Sequence, residues 1–333
     1  MRRLLLLILV AALGWSGSWF IGARGVEKNT LSWFESRQKA SWIASYSDFN
    51  LHGFPNRFDL TFTDLNLADP ATGWAWTSDF FQLFMLRYNS NHLIAVWGPE
   101  QQLATPIANL RLSNTDMRAS LVLQSLKTLA LDRSSFVIKD PVLLSADQSG
   151  VQADMVSLAI QRQDALSNSY KIALSAKGLG PLATTRNQID PQALLPRHMQ
   201  LLKADLTVEF DRPWDRSALE TQRPQPTVID LHLAEAAWGA LALKVTGQLK
   251  IDAAGWPKGE ITIKASQWRN ILNFTRTTGK MPKPVFDLIE KALQFISRLK
   301  GQDSSLDLTL SLKQKQVFLG PFAISPAPRF KLR

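Results

Sequence analysis

Cysteine is absent from the 333-residue chain, which removes disulfides, thiolate nucleophiles and cysteine-based zinc or iron–sulfur sites together. Packing alone must hold the fold. After residue 23 no apolar run is long enough to cross a bilayer, so the remainder is expected to fold in water as one large or two ordinary domains. The four histidines, His52, His92, His198 and His232, stand far apart in sequence, and none shows the paired helical spacing of a metal site. A phosphate-binding glycine loop and a nucleophile elbow are missing too. Asp59, Asp64 and Asp69 recur in one strand and turn region, but solvated sheet faces carry such carboxylates routinely, and a paired acid and base needs geometry that spacing alone does not supply. The expectation is a non-catalytic protein with neither metal nor cofactor.

A basic run interleaved with aromatics is lacking as well. The formal charge of +10 is scattered along the chain. Net charge attracts nucleic acid, anionic head groups or acidic proteins alike, yet nucleic-acid binders concentrate their Lys and Arg. Nucleic acid is therefore set aside as a partner. Apolar residues make up 45% and charged residues 20% of the sequence, far from the composition of a disordered chain, and a real core is expected.

What is present begins at the N-terminus. Met1, Arg2 and Arg3 precede an uncharged stretch from Leu4 to Ala23, which as a helix would be roughly 30 Å long, about the thickness of the hydrocarbon core. The leading arginines place the N-terminus in the cytoplasm and the body outside, although Arg24 and Lys28 weaken the asymmetry. Ser16 and Ser18 would suit a signal-peptide cleavage site. Against this, Trp19, Phe20 and Ile21 continue the apolar run, which favours a retained anchor at 1–23. At 24–46, Leu31, Trp33, Phe34, Trp42 and Ile43 recur among charged residues as in an amphipathic helix, read first as a cap on the domain and second as a helix lying on the bilayer.

Strands follow. Leu306, Leu308, Leu310 and Leu312 alternate with Asp307, Thr309, Ser311 and Lys313, a period of two that marks a half-exposed strand. The same alternation at Leu206 to Phe210, Ile229 to Leu233, Val245 to Ile251 and Ile261 to Ile263 argues for antiparallel sheet. Between Ile251 and Ile261, Gly255, Pro257 and Gly259 predict a hairpin. One helix is expected near 285–299, where Phe286, Ile289, Leu293 and Ile296 keep helical spacing. The Gly- and Pro-rich stretch from Gly178 to Pro196 suggests a boundary between a first β-rich half, 47–187, and a second, 188–333. The fold class is thus mainly β with a few helices: a membrane helix followed by an antiparallel, curved or groove-like sheet.

The segment His52-Gly53-Phe54-Pro55-Asn56-Arg57-Phe58-Asp59-Leu60 resembles the hallmark of an uncharacterised bacterial envelope family, domain of unknown function 2125, found mainly in alphaproteobacteria. Trp74-Ala75-Trp76, Tyr88 to His92, Arg118 to Leu121, Gly247, Gly259, Trp268 and Leu319-Gly320-Pro321 extend the likeness over nearly the whole chain after the anchor. The resemblance brings no established activity. Together with the leader, it makes the expected location the bacterial inner membrane, single-pass, with the main domain in the periplasm. By looser analogy of fold, an anchor followed by amphipathic strands looks like the lipid-handling proteins of the AsmA type.

Two sets of residues are candidates. Gly53, Phe54, Pro55 and Arg57 read as a structural turn or bulge at a strand start, with Phe54 buried to fix it and Arg57 paired to an acid. A chemical alternative makes Arg57 an anion clamp and His52 a base beside it. The second set comes from Phe80-Phe81-Gln82-Leu83-Phe84-Met85-Leu86, where both faces of a strand are apolar. Either both are buried between layers, or one lines an apolar groove. In the groove reading Phe80, Gln82, Phe84 and Leu86 form the wall, because a ligand site carries a few polar atoms such as those of Gln82. The expected function is binding or transfer of a lipid or another apolar ligand at a membrane, and the alternative is a non-catalytic scaffold that recruits an envelope protein.

Overall fold

The computed structural model describes residues 1–164, 168–193, 195–269, 287, 290–291 and 305–332. It opens with one long helix, α1 (Arg2–Lys39). Leucine and alanine dominate its first half and favour helix, while Arg37 and Lys39 in the last turn suit the negative end of its dipole. The helix runs unbroken past residue 23, as expected for a helix continuing out of the apolar stretch, but it stops at Lys39, and the end of the 24–46 range forms a strand. Ser41 adopts φ 65° and turns the chain, after which Ile43–Ser45 pairs antiparallel with Asn66–Ala68.

The strands are β1 (Ile43–Ser45), β2 (Asp48–His52), β3 (Arg57–Asp69), β4 (Trp74–Leu86), β5 (Asn89–Trp97), β6 (Glu100–Thr105), β7 (Ala108–Ser113), β8 (Asp116–Leu123), β9 (Leu131–Lys139), β10 (Val142–Ser145) and β11 (Gly150–Gln152). They continue with β12 (Met155–Arg162), β13 (Ser169–Lys177), β14 (Gly180–Pro181), β15 (Leu201–Phe210), β16 (Pro226–Trp238), β17 (Leu241–Ile251), β18 (Pro257–Ser266), β19 (Ser305–Lys313), β20 (Gln316–Leu319) and β21 (Phe322–Pro326). Two short helices, α2 (Ala183–Ile189) and α3 (Arg216–Glu220), sit in connections. Of the helix expected near 285–299, only Asp287, Glu290 and Lys291 are described, each as helical, and the rest lies outside the described residues.

All the strands join one open, curved antiparallel sheet. Its main ladder runs β2-β3-β4-β5-β8-β9-β12-β13-β15-β16-β17-β18-β19-β20-β21. At β4 the sheet forks: Phe81–Leu86 pairs with β5, whereas Ala75–Ser78 pairs with β6 and leads into β7, β10, β11 and β14. The glycine- and proline-rich stretch near 178–196 does not interrupt the ladder, since β13 pairs directly with β15 from Ala176↔Leu202 to Ser169↔Glu209.

Register explains the period of two. Residues directly opposite one another in an antiparallel pair share a face, so the pairings can be followed from strand to strand. One row reads Leu60, Leu83, Ala95, Ala119, Phe136, Leu158, Leu174, Ala204, Ala234, Val245, Ile263 and Leu308. The parallel row through Phe62, Phe81, Trp97, Met117 and Ile138 to Val156, Ala176, Leu202 and beyond is equally apolar. On the other face the row through Gln82 continues as Val96, Arg118, Val137, Ser157, Ser175, Lys203, Glu235 and Lys244. The sheet therefore has one greasy side and one small or charged side.

Candidate functional site

The Gly-Phe-Pro-Asn-Arg motif forms the turn between β2 and β3. Gly53 has φ +101°, and a Cβ there would stand 2.8 Å from the Arg57 carbonyl oxygen, so only glycine fits. The Phe54–Pro55 peptide is cis. The Arg57 amide donates to the Gly53 carbonyl at 2.8 Å and closes the loop. Arg57 pairs with Asp59 at 2.8 Å. Phe54 is not buried: it is 53% exposed, which corrects the expectation of an internal plug. Its ring instead packs on α1, 5.4 Å from Trp19 and 5.7 Å from Phe20. His52 lies at the end of β2, on the edge of the same turn.

This turn is the socket in which α1 docks. Trp19 Nε1 donates to the Arg57 carbonyl at 2.8 Å, and Trp15 Nε1 donates to Asn56 Oδ1 at 3.1 Å. From the next turn, Arg87 lays its guanidinium over the Trp15 ring at 4.1 Å and donates to the Trp15 carbonyl and to Ser18 Oγ. Further along the helix, a Cβ at Gly22 would meet the Phe58 ring at 2.8 Å, so glycine permits the close approach. Phe34 then packs on Phe62 and Tyr46. Trp15, Trp19, Ala23, Val26, Thr30 and Phe34 follow helical spacing on one stripe, and that stripe is what meets the sheet. The preceding residues, Leu4 to Leu13, are exposed.

The apolar face begins under that helix. Phe81, Leu83 and Met85 pack against the cluster built from Trp19, Phe34, Phe58, Leu60 and Phe62. A cavity of about 460 Å³ remains between α1 and the sheet, walled by Trp33, Phe34, Leu60, Phe62, Trp76 and Leu83 among others. The expected groove wall, Phe80, Gln82, Phe84 and Leu86, lies on the opposite side of β4. Gln82 Nε2 donates to Thr61 Oγ1 at 2.8 Å and Phe84 sits 5.8 Å below the Arg57 guanidinium. The polarity of Gln82 is thus met within the charged side of the sheet. This moves the candidate apolar surface to the alternate residues.

Beyond α1 the row through Phe136, Leu158, Leu174, Ala204 and Val245 stays partly exposed, whereas Ile138 and Ala176 of the neighbouring row are buried. Leu158, Ala204 and Val245 are half-buried and Leu174 is 38% exposed. A second cavity of about 540 Å³ is lined by residues of both registers, chiefly Ser157, Ala159, Ala173, Ser175, Lys203 and Asp205 of the small or charged face, with Phe136, Leu158, Leu174 and Ala204 between them. Both volumes fall in the range of small-molecule sites. On the charged side Glu235 accepts from Lys203 at 3.0 Å and Lys244 at 2.9 Å. The hydrogen bond from Lys244, followed by that from Lys203, holds its carboxyl below the usual glutamate range.

The histidines are dispersed in space as in sequence. His92 bonds Ser120 Oγ, His198 meets Gln152 and His232 meets Thr207 and Asp205. No group of three or more metal-ligating side chains occurs among the described residues.

The class is defined by these parts: among the described residues, one helix long and apolar enough to cross a membrane, locked by the Gly-Phe-Pro-Asn-Arg turn to one large open sheet with an apolar face. The chain belongs to the family of uncharacterised proteins conserved in bacteria, domain of unknown function 2125, whose model matches residues 19–328. That range takes in the docked half of α1, the motif turn and nearly the whole sheet. No curated protein matches the chain.

Proposed function

We propose that the chain is a single-pass protein of the bacterial inner membrane whose sheet stands in the periplasm and holds a lipid or another apolar ligand against its greasy face, without catalysing a reaction. The observation that carries this reading is the apolar row from Leu83 through Phe136, Leu158, Leu174 and Ala204 to Val245, which stays partly exposed beyond the strands that α1 covers, while Ile138, Ala176, Ala265 and Leu306 of the neighbouring row are buried. Extended exposed apolar surface on a protein in water calls for an occupant. Acyl chains suit it because the rows offer continuous hydrocarbon and few polar atoms.

Native mass spectrometry of the full chain extracted in mild detergent tests the proposal. A phospholipid should remain bound at defined stoichiometry, and the double variant Leu158→Glu, Leu174→Glu should lose it while keeping its circular dichroism spectrum. The half-exposed position of Leu174 makes a carboxylate there tolerable to the fold. Bare protein that instead brings down an envelope protein, abolished by the same double variant, would favour a recruiting scaffold.

A further inference from the structure

Three hairpin turns stand side by side at the end of the sheet where α1 leaves it. The β2–β3 turn exposes Phe54, the β4–β5 turn exposes Tyr88 by 71%, and the β8–β9 turn exposes Leu126 by 41%. The ladder fixes their adjacency: Arg57 pairs with Leu86, Leu86 with Asn89, and His92 with Val122. The Asn91 side chain also donates to the Gln124 carbonyl, tying the second turn to the third. With neighbouring strands about 4.8 Å apart, the tips span roughly 20 Å. Each tip has a cation close by. Arg57 follows Phe54, though it also pairs with Asp59; Arg87 precedes Tyr88 and clamps Trp15; Lys127 follows Leu126 and is exposed. The exposed Arg216 joins the third turn through its amide bond to the Thr128 carbonyl. At the other ends of these strands Glu100, Asp116, Asp140 and Asp154 stand with Arg118 and Lys139, Asp116 being paired to both, and at the collar end Asp132 and Asp215 lie near the third turn.

We infer that these three turns form a collar seated in the head-group layer of the bilayer that α1 crosses, with Phe54, Tyr88 and Leu126 reaching into the interface and Arg57, Lys127 and Arg216 facing lipid phosphates. The inference rests on the reading of α1 as a membrane span. Three features support this occupant. The row of turns starts at the point where the exposed apolar half of α1 begins, its first two turns bonded to Trp15 and Ser18, so a bilayer around Leu4 to Leu13 meets the collar from that end. Aromatic side chains favour the interfacial layer. Cations near the surface gain from anionic lipid. With strands directed at the bilayer, the row Phe58, Met85, Leu93, Leu121 lies nearest to it, which places the sheet's apolar face within reach of acyl chains leaving the membrane.

The cysteine-free chain makes the test direct. Tyr88→Cys, Leu126→Cys and, as a distant control, Ile107→Cys on the β6–β7 turn, 95% exposed, are each labelled with an environment-sensitive fluorophore. The full-length proteins are reconstituted into phosphatidylcholine vesicles with or without phosphatidylglycerol. Labels at 88 and 126 should be quenched by nitroxide-bearing lipid at least severalfold more than the label at 107, and more strongly when phosphatidylglycerol is present. If vesicle flotation and carbonate resistance show the chain inserted while labels at 88 and 126 match the control, the collar is overturned and the anchor stands. Equal quenching with and without anionic lipid overturns the role of the cations. Failure to float with the vesicles overturns the anchor and the collar together.

Discussion

At the β3 end of the sheet, Phe58, Leu60 and Phe62 lie sealed beneath α1, with Phe62 5% exposed, whereas in the middle Leu158, Leu174 and Ala204 hold equivalent positions in the apolar rows with one side open. Sequence pattern is the same in both places, an apolar residue at every second position. What differs is whether another element has been supplied to cover it. The capped end is a conventional core of interlocking rings, Trp19 on Phe58 and Phe34 on Phe62, and its burial stabilises the fold. The open middle gains less stability from its own apolar side chains than the capped end does.

Substitution at the two places should separate these roles. Phe62→Ala should lower unfolding free energy by about 3–5 kcal/mol, as for a buried aromatic truncated in a packed core, measured by chemical denaturation of detergent-solubilised protein. Leu174→Ala, already exposed on one side, should lose only about 1 kcal/mol from reduced burial. Equal losses at both positions would mean that the open face is as closed as the capped one. Next in size, Gly53→Ala forces a side chain into a left-handed backbone against the Arg57 carbonyl and should destabilise by about 1–3 kcal/mol, with the loss concentrated where α1 meets the sheet. Trp19 fluorescence should report it, because its indole bonds the same carbonyl. A Gly53→Ala protein with unchanged stability and indole environment would separate the motif from helix docking.

The smallest effect belongs to the charged side. Glu235 has its carboxyl pKa held below the ordinary value of 4.5 by Lys244 and then Lys203. A carboxyl depressed in the folded state adds stability above its unfolded pKa and loses it as pH falls through the folded value. The stability gap between wild type and Glu235→Gln should therefore be constant above about pH 5 and shrink below the ordinary glutamate range. A gap that widens on acidification would show that the lysine pair does not favour the charged form.

Strand positions were legible from alternation alone. Leu306 to Leu312 lies in β19, and the turn at Gly255 joins β17 to β18 as an antiparallel hairpin. The faces were harder to read. Around β4 both sets of alternate residues are apolar, so periodicity names two candidate surfaces and only the docking of α1 on Phe81, Leu83 and Met85 chooses between them. Asp64, at φ 49°, shifts the alternation so that Leu65 and Leu67 join the cavity wall with Phe62, a change no simple period anticipates. Phe54 misled for a related reason: a large ring beside glycine and proline suggests burial, but its neighbours are helix residues far away in sequence. The pairing of Trp15 and Trp19 at helical spacing was the available sign that α1 offers a docking stripe.

A sheet whose elements touch almost entirely their hydrogen-bonded neighbours behaves as a linear array. Its stability is a sum of strand terms and nearest-neighbour couplings, as in a solenoid. In such an array, order can be lost from a free terminus without the remainder being disturbed. Here one terminus is pinned by the helix, and at the other β21 has no strand beyond it among the described residues, but the chain after it folds back, with Phe330 bonded to Gly255 and Leu332 to Gln225. Opening from the β21 end must therefore release this C-terminal tail together with the last strands, while the opposite end is held by α1 on the motif turn.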